Sequence, residues 1–424
     1  MIIDFVVQSS LCLPEDPKRK VDFETLIMSV LEWVDDVITF AVGEEQQQYT
    51  LDKVDEFAVK HRLKWGREKC NVMKIGKERY IRKKWRLGQE EIETCESYRY
   101  LGDIIMRNGS NKKNIEDREN RTMVKTRQII ASCGNEVFHK IRMKALLKMH
   151  NACTVAMLLT NCETWILNKG EREKLEKIEL WALKKLLDVP KTTPTPAIWY
   201  VTGSLTTSIL IDKRQLLYLK TILDLPEQDN NKKMLFCLQT DDIGWPNQIN
   251  HKLEEYQLTY SWDEIKGMTF TSWKKIVTVA TEKKNKERLI EMCYDKKGEK
   301  RKTKNILRIL DDKNYIRHPC MDILSKSRYR SRIQLMSMFG MLDCAKNFKN
   351  GYNGDLCNNC GVIDDENHRI NFCTKYRRIN LCDSLVKFDF RCIYSQNQES
   401  IDRAIDVVSN LWNLMNGKNE MRVE

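Results

Sequence analysis

The stretch Leu31-Glu32-Trp33-Val34-Asp35-Asp36-Val37-Ile38-Thr39-Phe40-Ala41 constrains this chain more than any other. β-Branched and aromatic residues on both sides of a carboxylate pair predict a strand, a tight turn and a second strand. Adjacent carboxylates on a hairpin tip, Asp35 and Asp36, make an oxygen-ligand site suited to Mg²⁺, the usual metal for moving phosphates. A helix is expected next, because Leu51, Val54, Phe57 and Ala58 recur at three- and four-residue spacing on one face. Beyond it stand Leu63-Lys64-Trp65-Gly66-Arg67-Glu68-Lys69-Cys70, leading into Asn71-Val72-Met73-Lys74-Ile75, and then Tyr98-Arg99-Tyr100-Leu101-Gly102-Asp103.

In that order these landmarks resemble the back half of the palm of reverse transcriptases from non-LTR retrotransposons. There an aromatic-Ala-Asp-Asp hairpin is followed by a helix, a Lys-Cys strand and a Tyr-Leu-Gly turn. Here Trp33-Val34 departs from the common Tyr/Phe-Ala. The resemblance implies an RNA-directed DNA polymerase, with Asp35 and Asp36 as Mg²⁺ ligands, Lys69 near the nucleotide phosphates, and RNA and DNA as partners. Such an enzyme needs a further metal-binding Asp on an earlier strand and a Gly- and Gln-bearing segment. About thirty residues precede Trp33, and Cys12-Leu13-Pro14-Glu15-Asp16-Pro17 reads as a Pro-broken loop. Asp4 is the one acid there in a strand-like context. Two-metal phosphoryl transfer holds its ions about 3.5–4 Å apart with carboxylates from separate strands. The expectation is therefore the carboxyl-terminal part of such a polymerase, inactive by itself.

With 424 residues the chain can bury more than one core. Hydrophobic residues at 42% and charged residues at 31% fit a globular composition. The formal net charge of +12 favours an anionic partner, nucleic acid before membrane, since no basic amphipathic anchor is evident. The run at Ala156-Met157-Leu158-Leu159 is too short to span a bilayer, and the amino terminus carries no secretory pattern. An intracellular protein, nuclear or cytoplasmic, is expected. Its fifteen cysteines then read as reduced thiols, some available to metal.

Between 77 and 86, basic and aromatic residues interleave. Arg82, Lys83, Lys84 and Trp85 suit phosphate contacts with base stacking, or an edge strand whose lysines deter pairing. From 111 to 225 the pattern is helical. Asn168-Lys169-Gly170-Glu171 predicts a capping box, followed by an apolar stripe of Leu175, Ile178, Trp181 and Ala182 that ends at Val189-Pro190. With Asn161-Cys162-Glu163-Thr164-Trp165 and Thr202-Gly203, this part resembles the thumb of the same retroelement group, where Tyr-Gly stands in place of Thr160-Asn161. Trp245, Trp262 and Trp273 are expected in cores. The run 283–288 reads as solvated, and 296–304 as a linker.

A second constellation is Cys357-Asn358-Asn359-Cys360, seven residues to His368, then four to Cys373. Cysteines two apart aim both thiolates at one ion, and a later His and Cys close a tetrahedral Cys₃His site, the geometry of structural Zn²⁺. It resembles the cluster near the carboxyl end of many non-LTR elements. Lys375, Tyr376, Arg377 and Arg378 beside it offer stacking and phosphate contacts. The expected fold is α+β, mainly α. It comprises a partial polymerase palm over 1–110, a helical thumb-like region over 111–225, a helical linker region over 226–345, a zinc module over 346–380 and a helical tail over 381–424.

Overall fold

The computed structural model describes residues 2–4, 30–33, 36–41, 44–75, 84–132, 143–240, 244–295, 298–299, 328–338, 356–375 and 398–415. Helices dominate and the strands are short, which fits the expected mainly α class. The strands are β1 (Ile2–Asp4), β2 (Val30–Trp33), β3 (Asp36–Thr39), β4 (Asn71–Val72), β5 (Trp85–Leu87), β6 (Glu90–Thr94), β7 (Ser97–Tyr100), β8 (Asp103–Met106), β9 (Tyr294–Asp295) and β10 (Gly298–Glu299). The helices are α1 (Glu44–Lys60), α2 (Lys112–Ser132), α3 (Met143–Met149), α4 (Ala156–Leu158), α5 (Lys169–Leu187), α6 (Thr195–Thr202) and α7 (Thr207–Leu223). They continue with α8 (Asn230–Thr240), α9 (Gly244–Glu255), α10 (Trp262–Gly267), α11 (Phe270–Glu291), α12 (Arg328–Met338), α13 (Glu366–Asn371) and α14 (Gln398–Met415).

The chain divides into two compact units. The first comprises Met1–Glu119, Leu159–Lys174 and Ile211–Ala280, and the second Asn120–Leu158, Leu175–Leu210 and Thr281–Glu424. In the first unit β2 and β3 pair antiparallel, with Trp33 opposite Asp36, as the hairpin reading predicts. β1 pairs parallel with β3, placing Ile2 against Val37 and Asp4 against Thr39. β4 lies against β1 and pairs with β6, whose other edge carries β5.

Helix α1 buries Leu51 and Ala58 as its periodicity predicts, but Phe57 is 56% exposed. Six residues past Leu51 is about 240° round a helix, so Phe57 leaves the buried stripe. Its ring meets His61 one turn on instead. Trp85 is a second correction. It is 1% exposed among Leu51, Cys70, Val72, Leu87 and Ile92, so it packs a core and offers no face to a base. Alternation decides this: β5 buries Trp85 and Leu87 and exposes Arg86 between them. Backbone groups of Arg86, on the outer strand of the sheet, are taken up by the Gln48 amide, at 3.1 Å from its N–H and 2.9 Å from its carbonyl. That side chain closes an edge that would otherwise be open to pairing.

β7 and β8 form a second hairpin, Tyr100 opposite Asp103, with Leu101 and Gly102 between them at φ +44° and +92°. Positive φ at both central positions matches the twist of a two-residue hairpin. Trp262 and Trp273 are buried as expected and donate to Asn250 Oδ1 (3.0 Å) and the Leu216 carbonyl (2.8 Å). Trp245 is half-buried and donates to the Glu163 carbonyl.

Among its described residues the second unit is mainly helical, with β9, β10 and a Leu356–Ile363 bridge as its extended pairs. Its core joins Leu183, Leu186, Trp199, Ile333, Met336, Ile405 and Val408 from α5, α6, α12 and α14. The capping box at the start of α5 forms on both sides: Asn168 Oδ1 accepts from Glu171 N at 2.9 Å and Glu171 Oε2 from Asn168 N at 2.9 Å. Between α3 and α4 the helix widens to a π-helix over His150–Val155. The run 283–288 lies in the last turns of α11, with Lys283 and Glu287 exposed, while Arg288 pairs with Glu176 at 2.7 Å and Asn285 accepts from Thr206 N. Most of 296–304 lies outside the described residues.

Candidate metal centre

Four side chains converge in the second unit. Cys357, Cys360, His368 and Cys373 place one ligand atom each within 4.8 Å of one another. Their backbone explains why. Leu356 and Ile363 bridge, Cys357 N donates to the Val362 carbonyl at 2.7 Å, and Gly361 N turns back onto the Cys357 carbonyl at 2.8 Å. Gly361 makes that turn at φ +67°, a conformation costly for any residue with a Cβ. The result is a knuckle with both sulfurs on one side.

The other pair comes from the ends of α13. Asp365 caps this helix, accepting from His368 N at 2.8 Å. Asp364 is buried and takes both arms of the Arg369 guanidinium at 2.7 and 2.6 Å, a planar fork that fixes the approach to the helix. At its far end the Cys373 N–H donates to the His368 carbonyl at 2.7 Å, bringing the fourth ligand beside the third. Cys373 Sγ lies 3.8 Å from Cys357 Sγ and 3.9 Å from Cys360 Sγ.

The donor set fits a metal ion on two further counts. His368 is 5% exposed, and its Nε2 is buried without a hydrogen-bond partner. A buried ring nitrogen left unpaired costs free energy unless something binds it. Burial also pushes the Cys373 thiol up to about 11, so a cation is needed to hold it as thiolate near neutral pH. Cys360 is drawn the opposite way by Thr374, whose hydroxyl and N–H both lie 3.4 Å from its sulfur. An N–H directed at a ligating sulfur orients it and stabilises its charge.

No family model, no curated protein and no solved structure matches this chain. The metal-ligand spacing is thus the part of the sequence reading that the geometry brings together. The supporting residues Asp364, Asp365, Arg369 and Thr374 escaped it. Asp three residues ahead of His is a helix-start signal that was available in the sequence, whereas the Thr374 contact depends on the closed loop.

Of the remaining expected site residues, Asp36, Lys69, Lys84, Trp85 and Lys375 are among the described ones. Asp35, Arg82, Lys83, Tyr376, Arg377 and Arg378 lie outside the described residues, and Asp36 opens β3. Lys69 ends a 3₁₀ turn with its side chain exposed, its carbonyl accepting from Tyr98 at 2.9 Å. Lys84 is exposed and paired with Glu91 at 3.0 Å, and Lys375 is exposed two residues beyond Cys373. Among the described residues no helix is long and apolar enough to cross a membrane.

Proposed function

We propose that this protein binds RNA or DNA through a surface that includes a structural Zn²⁺ module, and that it derives from the reverse transcriptase of a non-LTR retrotransposon. The observation that carries the metal half is the sulfur spacing. Zn–S bonds of about 2.3 Å in a tetrahedron require S···S edges of roughly 3.8 Å, and Cys373 Sγ stands 3.8 and 3.9 Å from the other two sulfurs. Three thiolates and one imidazole leave no open coordination position, so the ion's contribution is to hold the fold rather than to react. Cys357, Cys360 and Cys373 bind through sulfur and His368 through Nε2.

The nucleic-acid half is supported by the surface around the knuckle. Val362, Ile363 and Phe372 are 50%, 55% and 45% exposed, beside the exposed Lys375. Exposed aromatic and aliphatic side chains in the same module as an exposed lysine suit unpaired bases and their phosphates. The net charge of +12 draws in the same partner. The retroelement origin is supported by the Asp-Asp hairpin, the helix after it, and a fourth strand lying against β1.

β1 pairs with β3 in a register that sets Ile2 against Val37 and Asp4 against Thr39. Two-metal transfer needs carboxylates from separate strands at one place. The deciding experiment measures Zn²⁺ content and binding to labelled single-stranded RNA and an RNA–DNA hybrid across a salt series. One equivalent of Zn²⁺, lost in Cys357→Ser, together with affinity that falls steeply with salt, is the expected result. Zinc-free protein, or affinity indifferent to salt, overturns the proposal.

A further inference from the structure

A cleft of about 860 Å³ opens in the first unit, within the size range of small-molecule sites. One wall is the β7–β8 hairpin, with Leu101, Ile104 and Met106. The loop Asn161–Trp165, Tyr218 of α7 and Asn231 of α8 complete it. Lysine and arginine make up 72 of 424 residues, yet none lines this cleft among the described residues. The charge that dominates the chain is absent from this concavity.

The polar groups separate into spent and free ones. Asp103 is spent: its oxygens accept from Arg118 (2.7 Å), Asn114 (3.0 Å) and Asn161 (2.8 Å). Glu163 is held more loosely: it pairs with Arg214 at 3.7 Å, and its carboxylate stays one-third exposed. The Tyr218 hydroxyl and the Asn231 carboxamide take no hydrogen bond from the described residues. The Tyr218 ring is held edge-on to Trp245, 6.0 Å between centroids at 82°. Burial, with Glu163 and Asp229 nearby, holds its hydroxyl protonated above the usual tyrosine range.

The arginines that pair with the two lining carboxylates, Arg118 and Arg214, are not themselves in the lining, so a phosphate would meet a carboxylate before a cation, which disfavours a nucleic-acid track through this cleft. A cation with a carbon body meets the opposite: a carboxylate for its charge, a tyrosine ring and hydroxyl oxygen beside it, and aliphatic walls. We propose that the cleft binds an organic cation, an alkylammonium or guanidinium on an apolar body, with Glu163 taking the charge and Tyr218 and Asn231 orienting it. The same chemistry arises from a free amine or from a basic side chain in an apolar peptide.

Isothermal titration calorimetry on the full chain, freed of nucleic acid, tests this with phenethylammonium and with the peptide acetyl-Leu-Arg-Leu-amide. At least one should bind, and whichever binds more tightly identifies the source. Glu163→Gln should weaken it roughly tenfold or more, the weight of a charged hydrogen bond. Asn231→Asp, which adds a carboxylate in the first turn of α8 where a negative charge is tolerated, should tighten it. Failure of both cations to bind folded protein, affinity unchanged in Glu163→Gln, or displacement of the cation by adenosine monophosphate overturns the proposal. No nucleic acid enters these titrations, so their failure leaves the nucleic-acid reading where it stands.

Discussion

Asn161 shows how one residue can carry a departure from a pattern. The retroelement resemblance places glycine at this point, and Asn161 adopts φ +63°, ψ +11°, the left-handed conformation that glycine enters freely and asparagine enters best among the rest. The side chain then adds what glycine lacks, donating to the Leu101 carbonyl at 3.1 Å and to Asp103 at 2.8 Å. Two losses follow on substitution. Asn161→Gly keeps the backbone and forfeits the hydrogen bonds, about 1–2 kcal/mol. Asn161→Ala forfeits both and adds about 1 kcal/mol or more for its Cβ. Urea unfolding should rank wild type above Gly above Ala, and equal midpoints for Gly and Ala would remove the backbone argument.

At the scale of elements, legibility followed how local the cause was. The capping box at Asn168 and Glu171 depends on four consecutive residues, and it forms. Phe57 and Trp85 were misplaced because their fate depends on which strip of α1 and which face of β5 meets the core, and neither is fixed by neighbours in sequence. The buried polar network around Asp212 was wholly hidden, since its members are dispersed along the chain. Asp212 accepts from Arg172 at 2.8 Å and Tyr256 at 3.0 Å, with Lys252 at 3.3 Å. Removing it takes the carboxylate from the buried Lys252 and the part-buried Arg172, so Asp212→Ala should cost about 3 kcal/mol in thermal or urea unfolding. Lys252 is the opposite case. Burial lowers its pKa from 10.5 to about 8. Below pH 8 both states carry the ammonium and the burial cost is fully present. As pH rises from about 8 to 10.5 the folded state has lost its proton while the unfolded chain still holds one, so stability gains. Lys252→Met should match or exceed wild type at pH 7, and wild type should gain on it between pH 8 and 10. A gap that stays flat across this window would show that Asp212 offsets the burial.

For the whole molecule, the net charge and the Cys₃His spacing were legible in the sequence as separate facts. A net charge of +12 acts over the entire surface, whereas the described cations of the knuckle module are Arg369, which is paired with Asp364, and Lys375. If the proposed zinc module lies in the interface, its share should be readable in the salt dependence. Each phosphate neutralised on a single strand contributes about 0.7 to the slope of log affinity against log salt. Lys375→Ala should therefore lower the slope by roughly that amount with the Zn²⁺ content unchanged. Phe372→Ala should weaken binding at every salt concentration with the slope preserved, because base stacking releases no counterion. Lys84→Ala gives the comparison: it lies on a surface whose Trp85 faces inward, so a smaller change is expected. Should Lys84→Ala change the slope and Lys375→Ala leave it alone, the polyanion would run over the β5 surface, and the metal would serve the fold of the second unit without touching the ligand.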